Sequence, residues 1–137
     1  MGKLKTGPEY SLIAEYQKRL KTLLTLKEIK QSSKEAEALD ILAILPEKAY
    51  LILLDERGEN LPSVEFAALI QKASLHHKTI IFVIGGADGV AESIKKRADF
   101  ILSFGKLTWP HMLVRVMATE QIYRALSILN NHPYHRA

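Results

Sequence analysis

The chain has 137 residues, a length that suits one domain with its own core, and its composition (47% hydrophobic, 25% charged, net charge +4) is ordinary for a soluble globular protein. The absence of cysteine excludes disulfides, thiolate nucleophiles and cysteine-based zinc sites. No apolar run approaches the roughly 20 residues that span a bilayer, and the N-terminus lacks the apolar core of a signal peptide. We therefore expect a single domain over residues 1–137 that is cytoplasmic and does not enter a membrane.

The first third of the chain is predicted to form a helix, a strand and a second helix. Apolar residues at spacings of three and four predict a helix over about residues 8–22. Residues 24–30 alternate apolar and polar side chains, as in a half-buried strand. Ser32, with Glu35 three residues on, forms a capping-box pattern, which predicts that a second helix begins there and reaches Leu45.

The rest of the chain alternates buried strands with helices. We predict strands at residues 50–55, 79–84 and 100–104, a loop at 56–60, a helix at 61–75 with Ser63 as N-cap, a short helix at 91–97, and a final helix of roughly five turns within residues 107–136. This alternation predicts an α/β domain with a mostly parallel sheet flanked by helices. Ligands of such sheets bind beyond the carboxyl ends of the strands.

The glycine-rich segment Gly85-Gly86-Ala87-Asp88-Gly89 follows the second predicted strand. It lets the backbone approach a ligand, although tight turns after buried strands commonly need glycine as well. Neither a G-x-G-x-x-G fingerprint nor a P-loop occurs, which argues against a dinucleotide or P-loop nucleotide site. The segment therefore indicates either a binding loop or a structural turn.

The segment before the final helix, residues 106–111, is more informative. Trp109 either packs over a planar heterocycle or covers the end of the sheet, and Pro110 suits the first turn of the helix. His111 lies near the helix N-terminus, where the helix dipole should lower its pKa. The helix is apolar on nearly all sides, which predicts that one side meets a second copy of the chain in a homodimer. Another face carries Arg115, Thr119 and Tyr123, which could be at the surface or in subunit contacts.

The two ends of the chain carry the positive charge. Residues 1–34 sum to +5 and residues 106–137 to +3, whereas residues 35–105 sum to −4, so a polyanion would suit the ends if they meet in space. The tail adds side chains that can donate, accept or carry a proton, namely His132, Tyr134, His135 and Arg136. A metal site formed by the histidines is not favoured, because no carboxylate completes a ligand pattern.

Three stretches, IIFVIGGADG, LTWPHMLVRVMATEQIYRA and NHPYHR, closely resemble the SPOUT-class large-subunit rRNA (pseudouridine-N3) methyltransferases, the RlmH family. The resemblance implies a homodimeric α/β fold with a C-terminal trefoil knot. It also implies methylation of N3 of a pseudouridine in 23S rRNA with S-adenosyl-L-methionine, at the subunit interface of the ribosome. The family opens with an apolar strand, but here Met1 directly precedes Gly2-Lys3, so that strand is apparently missing, either because the sequence begins late or because the strand is truly lost.

Carried over by position, the resemblance implies a cofactor site in the knot formed by Leu54, Gly85, Gly86, Lys106, Leu107, Thr108, Trp109, Pro110 and His111. The chemistry needs a base or a cation for the imide proton, and the tail offers both kinds of group. His132 and His135 are the candidate bases, and Arg136 is the candidate electrostatic stabiliser or phosphate clamp. Tyr134 is a candidate for stacking or for hydrogen bonding to the RNA. We expect the substrate to be the assembled ribosome. The alternative is a non-enzymatic dimer that binds RNA or the ribosome through its basic ends.

Overall fold

The computed structural model describes residues 7–21, 24–77, 79–86 and 88–136. The elements in chain order are α1 (Pro8–Leu20), α2 (Lys34–Ile44), β1 (Tyr50–Asn60), α3 (Ser63–His76), β2 (Ile80–Ile84), α4 (Glu92–Arg97), β3 (Phe100–Ser103) and α5 (His111–Leu129). Most predicted boundaries agree within one or two residues. The expectation of a missing first family strand concerns residues 1–6, which lie outside the described residues.

The three strands form one parallel sheet in the order β2-β1-β3, which confirms the predicted α/β class. The central strand is buried on both faces, because its side chains alternate between two core layers. Leu51 and Leu53 pack with α2 and α4, whereas Ile52 packs with α3 and α5. All three are 0% exposed. The C-terminal trefoil knot stays a prediction.

The strand predicted over residues 24–30 does not form. Alternation creates an apolar face but not a hydrogen-bonding partner, and among the described residues β2 and β3 pair only with β1. The segment instead runs beside the core. Ile29 packs against the core cluster that contains Ala38 and Ile41 of α2. The Glu28 carboxylate lies 4.0 Å from the Arg115 guanidinium of α5.

The second helix begins one residue later than its capping pattern predicted. Ser33, not Ser32, is the N-cap, and its Oγ accepts a hydrogen bond from the backbone N–H of Ala36 at 3.2 Å. The carboxylate that reaches back is that of Glu37, which accepts from the Ser32 N–H at 3.4 Å. A serine N-cap is therefore present as predicted, one residue later, but the reciprocal bond of a capping box is replaced by one between the residue after N3 and the residue before the N-cap.

The predicted loop at residues 56–60 is instead part of β1. The strand continues to Asn60 and pairs again with β3 after a register shift between Leu54 and Glu59. Gly58 permits this close approach, since a Cβ there would lie 2.5 Å from the Ile101 carbonyl oxygen. The extension carries charged residues to the end of the sheet where the candidate site lies.

Two helix starts and one helix face also differ from the predictions. Pro62 is the N-cap of α3, because the Ser63 hydroxyl donates to the Gln121 side chain at 3.0 Å instead. Pro110 is the N-cap of α5 and not a residue of its first turn. Arg115 and Thr119 are only 3% and 5% exposed within one chain, so the expectation that their face lies at the surface or in a subunit contact is wrong for these two residues. Tyr123, the third residue of that face, is half-buried against Tyr16 and Tyr134. In the described part of the chain, no helix combines the length and apolarity that a membrane crossing requires.

Candidate active site

A cavity of about 800 Å³ opens at the carboxyl ends of the three strands. Its volume is in the range of small-molecule sites, and its position is the usual one for a parallel sheet. Eight of the nine residues predicted to bind the cofactor line it, namely Leu54, Gly85, Gly86, Leu107, Thr108, Trp109, Pro110 and His111. Lys106, the ninth, is exposed and is not part of the lining.

The loop after β3 is tied to the end of β1 by buried polar groups. Ser103 Oγ accepts from the Gly105 N–H at 3.0 Å and lies within donating distance of the Gly105 and Glu56 carbonyl oxygens, at 2.8 and 3.2 Å. The Thr108 hydroxyl donates to the Glu56 carboxylate at 2.9 Å. Gly105 has φ +123°, a conformation that side chains rarely adopt. These contacts hold Thr108 and its neighbour Trp109 at the mouth of the cavity.

The glycine-rich loop after β2 is a tight turn that also borders the cavity. The Gly89 N–H donates to the Gly86 carbonyl at 3.0 Å, and Gly89 has φ +78°. A Cβ on Gly85 would lie 2.9 Å from Val90 Cγ1. The turn therefore needs glycine, as the structural reading predicted, and its backbone borders the cavity, while its role as a binding loop stays a prediction.

His111 is the first residue of α5 and lines the cavity. Its Nε2 is buried and makes no hydrogen bond to any part of the chain that the structure describes. Burial lowers the pKa of His111, and the Arg115 guanidinium one turn along the helix lowers it further. The predicted direction is confirmed, and burial is the main cause. At neutral pH a neutral imidazole therefore lines the cavity.

Several lining residues were not among the predicted site residues. Asp55, Glu56 and Arg57 come from β1, and Asp88 comes from the glycine-rich loop. The charges at residues 55–57, where the buried run of β1 ends, are the signal in the sequence that could have indicated the first three. The assignment of residues 56–60 as a loop hid the fact that these side chains are fixed on a strand at the edge of the cavity.

The C-terminal tail docks on α1 and on the middle of α5. The Tyr134 hydroxyl lies 3.0 Å from the Tyr16 hydroxyl and donates to the Glu120 carboxylate at 3.1 Å. Its ring packs edge-on against Tyr123, with 4.7 Å between centroids. Burial, the bond to Tyr16 and the charge of Glu120 together raise the pKa of Tyr134, so the phenol stays protonated at neutral pH.

The tail histidines are both hydrogen-bonded through Nδ1. Arg124 Nη1 lies 3.0 Å from Nδ1 of His135, and the Tyr134 N–H donates to Nδ1 of His132 at 3.3 Å. His132 and Arg136 are exposed, whereas His135 is half-buried. The backbone of His132 is fixed as well, because its N–H donates to the Ser127 carbonyl at 2.8 Å.

The cavity and the tail are separate within one chain. None of the described tail residues lines the cavity. The tail docks beside Glu120, nine residues beyond His111, which is roughly 13 Å along the axis of α5. The predicted cofactor residues therefore come together, and the predicted catalytic residues come together, but the two groups do not meet. Over the described residues, no three His, Asp or Glu side chains cluster closely enough to hold a metal ion.

Comparison with known proteins gives consistent matches over the whole length. A family model described as "Predicted SPOUT methyltransferase" matches residues 1–135. The chain is similar to proteins named "Ribosomal RNA large subunit methyltransferase H" from Rhodospirillum centenum (48% identical over 145 residues, 100% of this chain and 95% of the relative) and Paramagnetospirillum magneticum (44% over 144 residues, 99% and 95%). A similarly named protein from Paracoccus denitrificans is 44% identical over 147 residues, with the same coverage of 99% and 95%. The chain, with its parallel sheet and its cavity at the strand ends, belongs to the SPOUT methyltransferase family.

Proposed function

We propose that this protein transfers a methyl group from S-adenosyl-L-methionine to N3 of a pseudouridine in 23S rRNA, and that its substrate is the assembled ribosome. The observation that carries the proposal is the cavity, which gathers residues from three distant segments at the carboxyl ends of the strands. The relatives named as large-subunit rRNA methyltransferases support the RNA class. The pseudouridine and its N3 come from the resemblance of the tail and of the segment around Trp109.

The lining of the cavity fits S-adenosyl-L-methionine in size and chemistry. Apolar side chains such as Leu54, Leu102 and Trp109 suit the adenine ring, and the carboxylates of Asp55 and Glu56 suit the positive charge of the cofactor. The glycine-rich loop offers backbone groups without Cβ interference. The Nε2 of His111, which makes no hydrogen bond to the described residues, is a polar atom that a ligand would satisfy.

The bound cofactor would supply a methyl group already activated on a sulfonium, so that its transfer forms one N–C bond as one C–S bond breaks. The protein then contributes mainly position, holding the acceptor base and the methyl group in line. The imide N–H must also lose its proton, which places negative charge on the carbonyl oxygens that flank N3. We assign the stabilisation of this charge to four groups of the tail, namely His132, Tyr134, His135 and Arg136.

A homodimer would bring the tail and the cavity together. Within one chain they lie apart, so a site that uses both needs a second copy that contributes its tail. An apolar rim supports this arrangement, because Leu107 and Trp109, which line the cavity, and Leu113, in the first turn of α5, are 72%, 40% and 40% exposed. We propose that this surface is part of a two-fold interface.

The basic ends of the chain meet in space, as a polyanion site requires. Helix α1 packs along α5, and the Tyr16–Tyr134 contact joins the N-terminal helix to the tail. Lys18, Arg19 and Lys21 on or just after α1 and Arg136 in the tail are all exposed. This surface would contact RNA phosphates beside the reacting base. So short a chain has little surface for reading sequence, which favours recognition of a large assembled particle.

Cofactor binding can be followed with the protein's own fluorescence. Trp109 is the only tryptophan and lines the cavity, so S-adenosyl-L-methionine or S-adenosylhomocysteine should change its emission in a saturable way. Titration calorimetry should give the same dissociation constant. If neither ligand binds, the non-enzymatic RNA-binding dimer becomes the better explanation.

Substrate choice is tested by methyl transfer from labelled cofactor to assembled ribosomes, isolated large subunits and free 23S rRNA. The expected product is one methylated pseudouridine, found by mass mapping, with assembled ribosomes as the best substrate. Ribosomes that carry uridine instead of pseudouridine at that position are the matched control. Equal transfer to free rRNA would reject the proposed assembled substrate.

A further inference from the structure

We propose that His135 acts as a hydrogen-bond donor through Nε2 towards an oxygen of the deprotonated base, rather than as the base that removes the proton, and that Arg124 fixes it in this role. The inference rests on the proposed function for its substrate. The position of the ring proton of His135 is inferred from the geometry of the tail, and this position can be measured without any reaction.

The position of the proton follows from the contact between the two side chains. Arg124 Nη1 and His135 Nδ1 lie 3.0 Å apart. A guanidinium has only donors, so Nδ1 must accept, and a nitrogen that accepts carries no proton. The neutral imidazole therefore has its proton on Nε2. That nitrogen presents an N–H, whereas a base would need a free lone pair there.

Arg124 is itself held on two sides. Its Nε and Nη2 contact Oε1 of Glu120 at 2.8 and 2.6 Å, which leaves Nη1 directed at His135. The guanidinium also stacks over the ring of Tyr134, 4.9 Å from its centroid. Glu120 is fixed in turn, since Gln121 donates to its Oε2 at 3.0 Å. The orientation of His135 thus depends on an ordered chain of contacts along α5.

His132 has its ring proton in the same position, and a separate contact determines it. The backbone N–H of Tyr134 donates to its Nδ1, so its neutral ring also carries the proton on Nε2. The tail therefore presents two Nε2–H donors and the Arg136 guanidinium. A set of donors suits an anion, and the imide anion carries its charge on the two oxygens beside N3.

The proton balance does not require a protein base. The N3 proton passes to solvent water before methyl transfer, and the remaining lone pair on N3 forms the new bond to carbon. Donors that stabilise the anion increase its fraction at neutral pH. His135 thus acts by stabilising charge, and Arg124 is a positioning residue because it acts through His135.

The tautomer is read directly by long-range proton–nitrogen correlation spectra of the full-length protein with ¹⁵N-labelled histidine. The chain has five histidines, and the signals of His135 are those absent from His135→Gln. We expect the pattern of a ring protonated on Nε2 alone. Arg124→Met should release this preference, whereas Arg97→Met, which removes an arginine of α4 that pairs with Asp99, should leave it unchanged. A ring protonated on Nδ1 in the wild type would overturn the proposal.

A donor and a base also respond differently to substitution. The amide of Gln reaches the place of Nε2 and donates, so His135→Gln should retain methyl transfer to within about tenfold. His135→Leu has no donor and should lose about a hundredfold or more. In His135→Asn the amide is one methylene too short, so this variant should resemble His135→Leu. If His135→Gln is as inactive as His135→Leu while both bind cofactor, the donor role is wrong.

The two proposals fail in different ways. If the wild-type protein methylates no pseudouridine in the ribosome, the proposed function is rejected, and the spectra alone decide whether His135 carries a donor at Nε2. If methylation occurs and the spectra show a proton on Nδ1, the function stands and the inference falls.

Discussion

The phenol oxygens of Tyr16 and Tyr134 lie 3.0 Å apart, although 118 positions separate the two residues in the chain. Tyr134 gives its only proton to the Glu120 carboxylate, so Tyr16 must be the donor between the two phenols. The N-terminal helix, the last helix and the tail are therefore joined at one point. The position of the tail, and with it the orientation of His135, depends on α1.

The two tyrosine hydroxyls should differ in their contribution to stability. Tyr134→Phe removes the donor to Glu120 and the acceptor for Tyr16, whereas Tyr16→Phe removes only one donor. We expect losses of about 2 and about 1 kcal/mol in the free energy of unfolding, measured in urea. Tyr10→Phe is the control, since Tyr10 is 47% exposed on the same helix. Equal effects of Tyr134→Phe and Tyr10→Phe would contradict the contact.

The ion pair between Glu28 and Arg115 should matter far more than those on the surface. Arg115 is 3% exposed, Glu28 is 20% exposed and they lie 4.0 Å apart, while burial lowers the pKa of Arg115 and Glu28 opposes this. Glu28→Gln leaves a guanidinium in the interior without this counter-charge and should cost about 3 kcal/mol. Glu15→Gln, in the exposed pair with Arg19, should cost under about 0.5 kcal/mol.

The double variant distinguishes charge from packing. Arg115→Met keeps much of the side-chain volume and removes the buried charge, so Glu28→Gln should cost much less in that background than in the wild type. Equal costs in both backgrounds, measured by urea unfolding, would mean that the carboxylate of Glu28 does not act through Arg115.

The sequence was sufficient for the parts of the fold that depend on local pattern. Buried strands and helix periodicity predicted the α/β class, and the rule that ligands bind at carboxyl strand ends located the cavity lined by Leu54 and Gly86. Prediction from the sequence failed where strand pairing outweighs local composition. Residues 56–60 are charged and contain glycine, as loops do, yet they continue β1 because β3 is within hydrogen-bonding reach.

Side-chain placement across the fold was the other part that the sequence could not supply. Arg115 was expected at the surface or in a subunit contact, because periodicity does not show that a segment without regular structure covers that face. The tail was predicted to supply the catalytic groups, yet Tyr134 contacts Tyr16 and Glu120, and none of the described tail residues lines the cavity. Both outcomes depend on contacts between distant segments, about which spacing within one element gives no information.

Gly58 is the residue that allows β1 to continue beyond Leu54. A Cβ at this position would lie 2.5 Å from the Ile101 carbonyl oxygen, which belongs to the backbone of β3 and cannot move alone. We expect Gly58→Ala to cost about 1–3 kcal/mol in urea unfolding, because β1 and β3 must separate. Cofactor affinity should also fall, because Asp55 and Glu56 lie just before the displaced backbone. An unchanged unfolding midpoint would show that the strands tolerate the separation.

The apolar rim at the start of α5 should determine the oligomeric state. Leu113 is 40% exposed there, and Leu113→Glu places a charge on the proposed two-fold interface. We expect this variant to sediment as a monomer that keeps its helical circular dichroism but loses methyl transfer. Leu75→Glu is the matched control, because Leu75 is 75% exposed on α3 and outside the rim. A wild-type monomer, or a dimeric Leu113→Glu variant, would reject this interface.

His111 should make the protein less stable as the pH falls below neutrality. Burial and Arg115 lower its pKa in the folded state, while the unfolded chain keeps the ordinary value of about 6.5. Above this pH neither state binds the proton, and the full stability is present. As the pH falls through the unfolded value, the unfolded chain is protonated first, and the free energy of unfolding decreases until the folded pKa is reached.

Between about pH 7.5 and pH 5.5, wild type should therefore lose more stability in urea than His111→Gln, which has no titrating ring. A proton NMR titration should give a His111 midpoint below the ordinary value, and Arg115→Met should raise it. A midpoint at or above that value would contradict the burial of Nε2 beside the cavity.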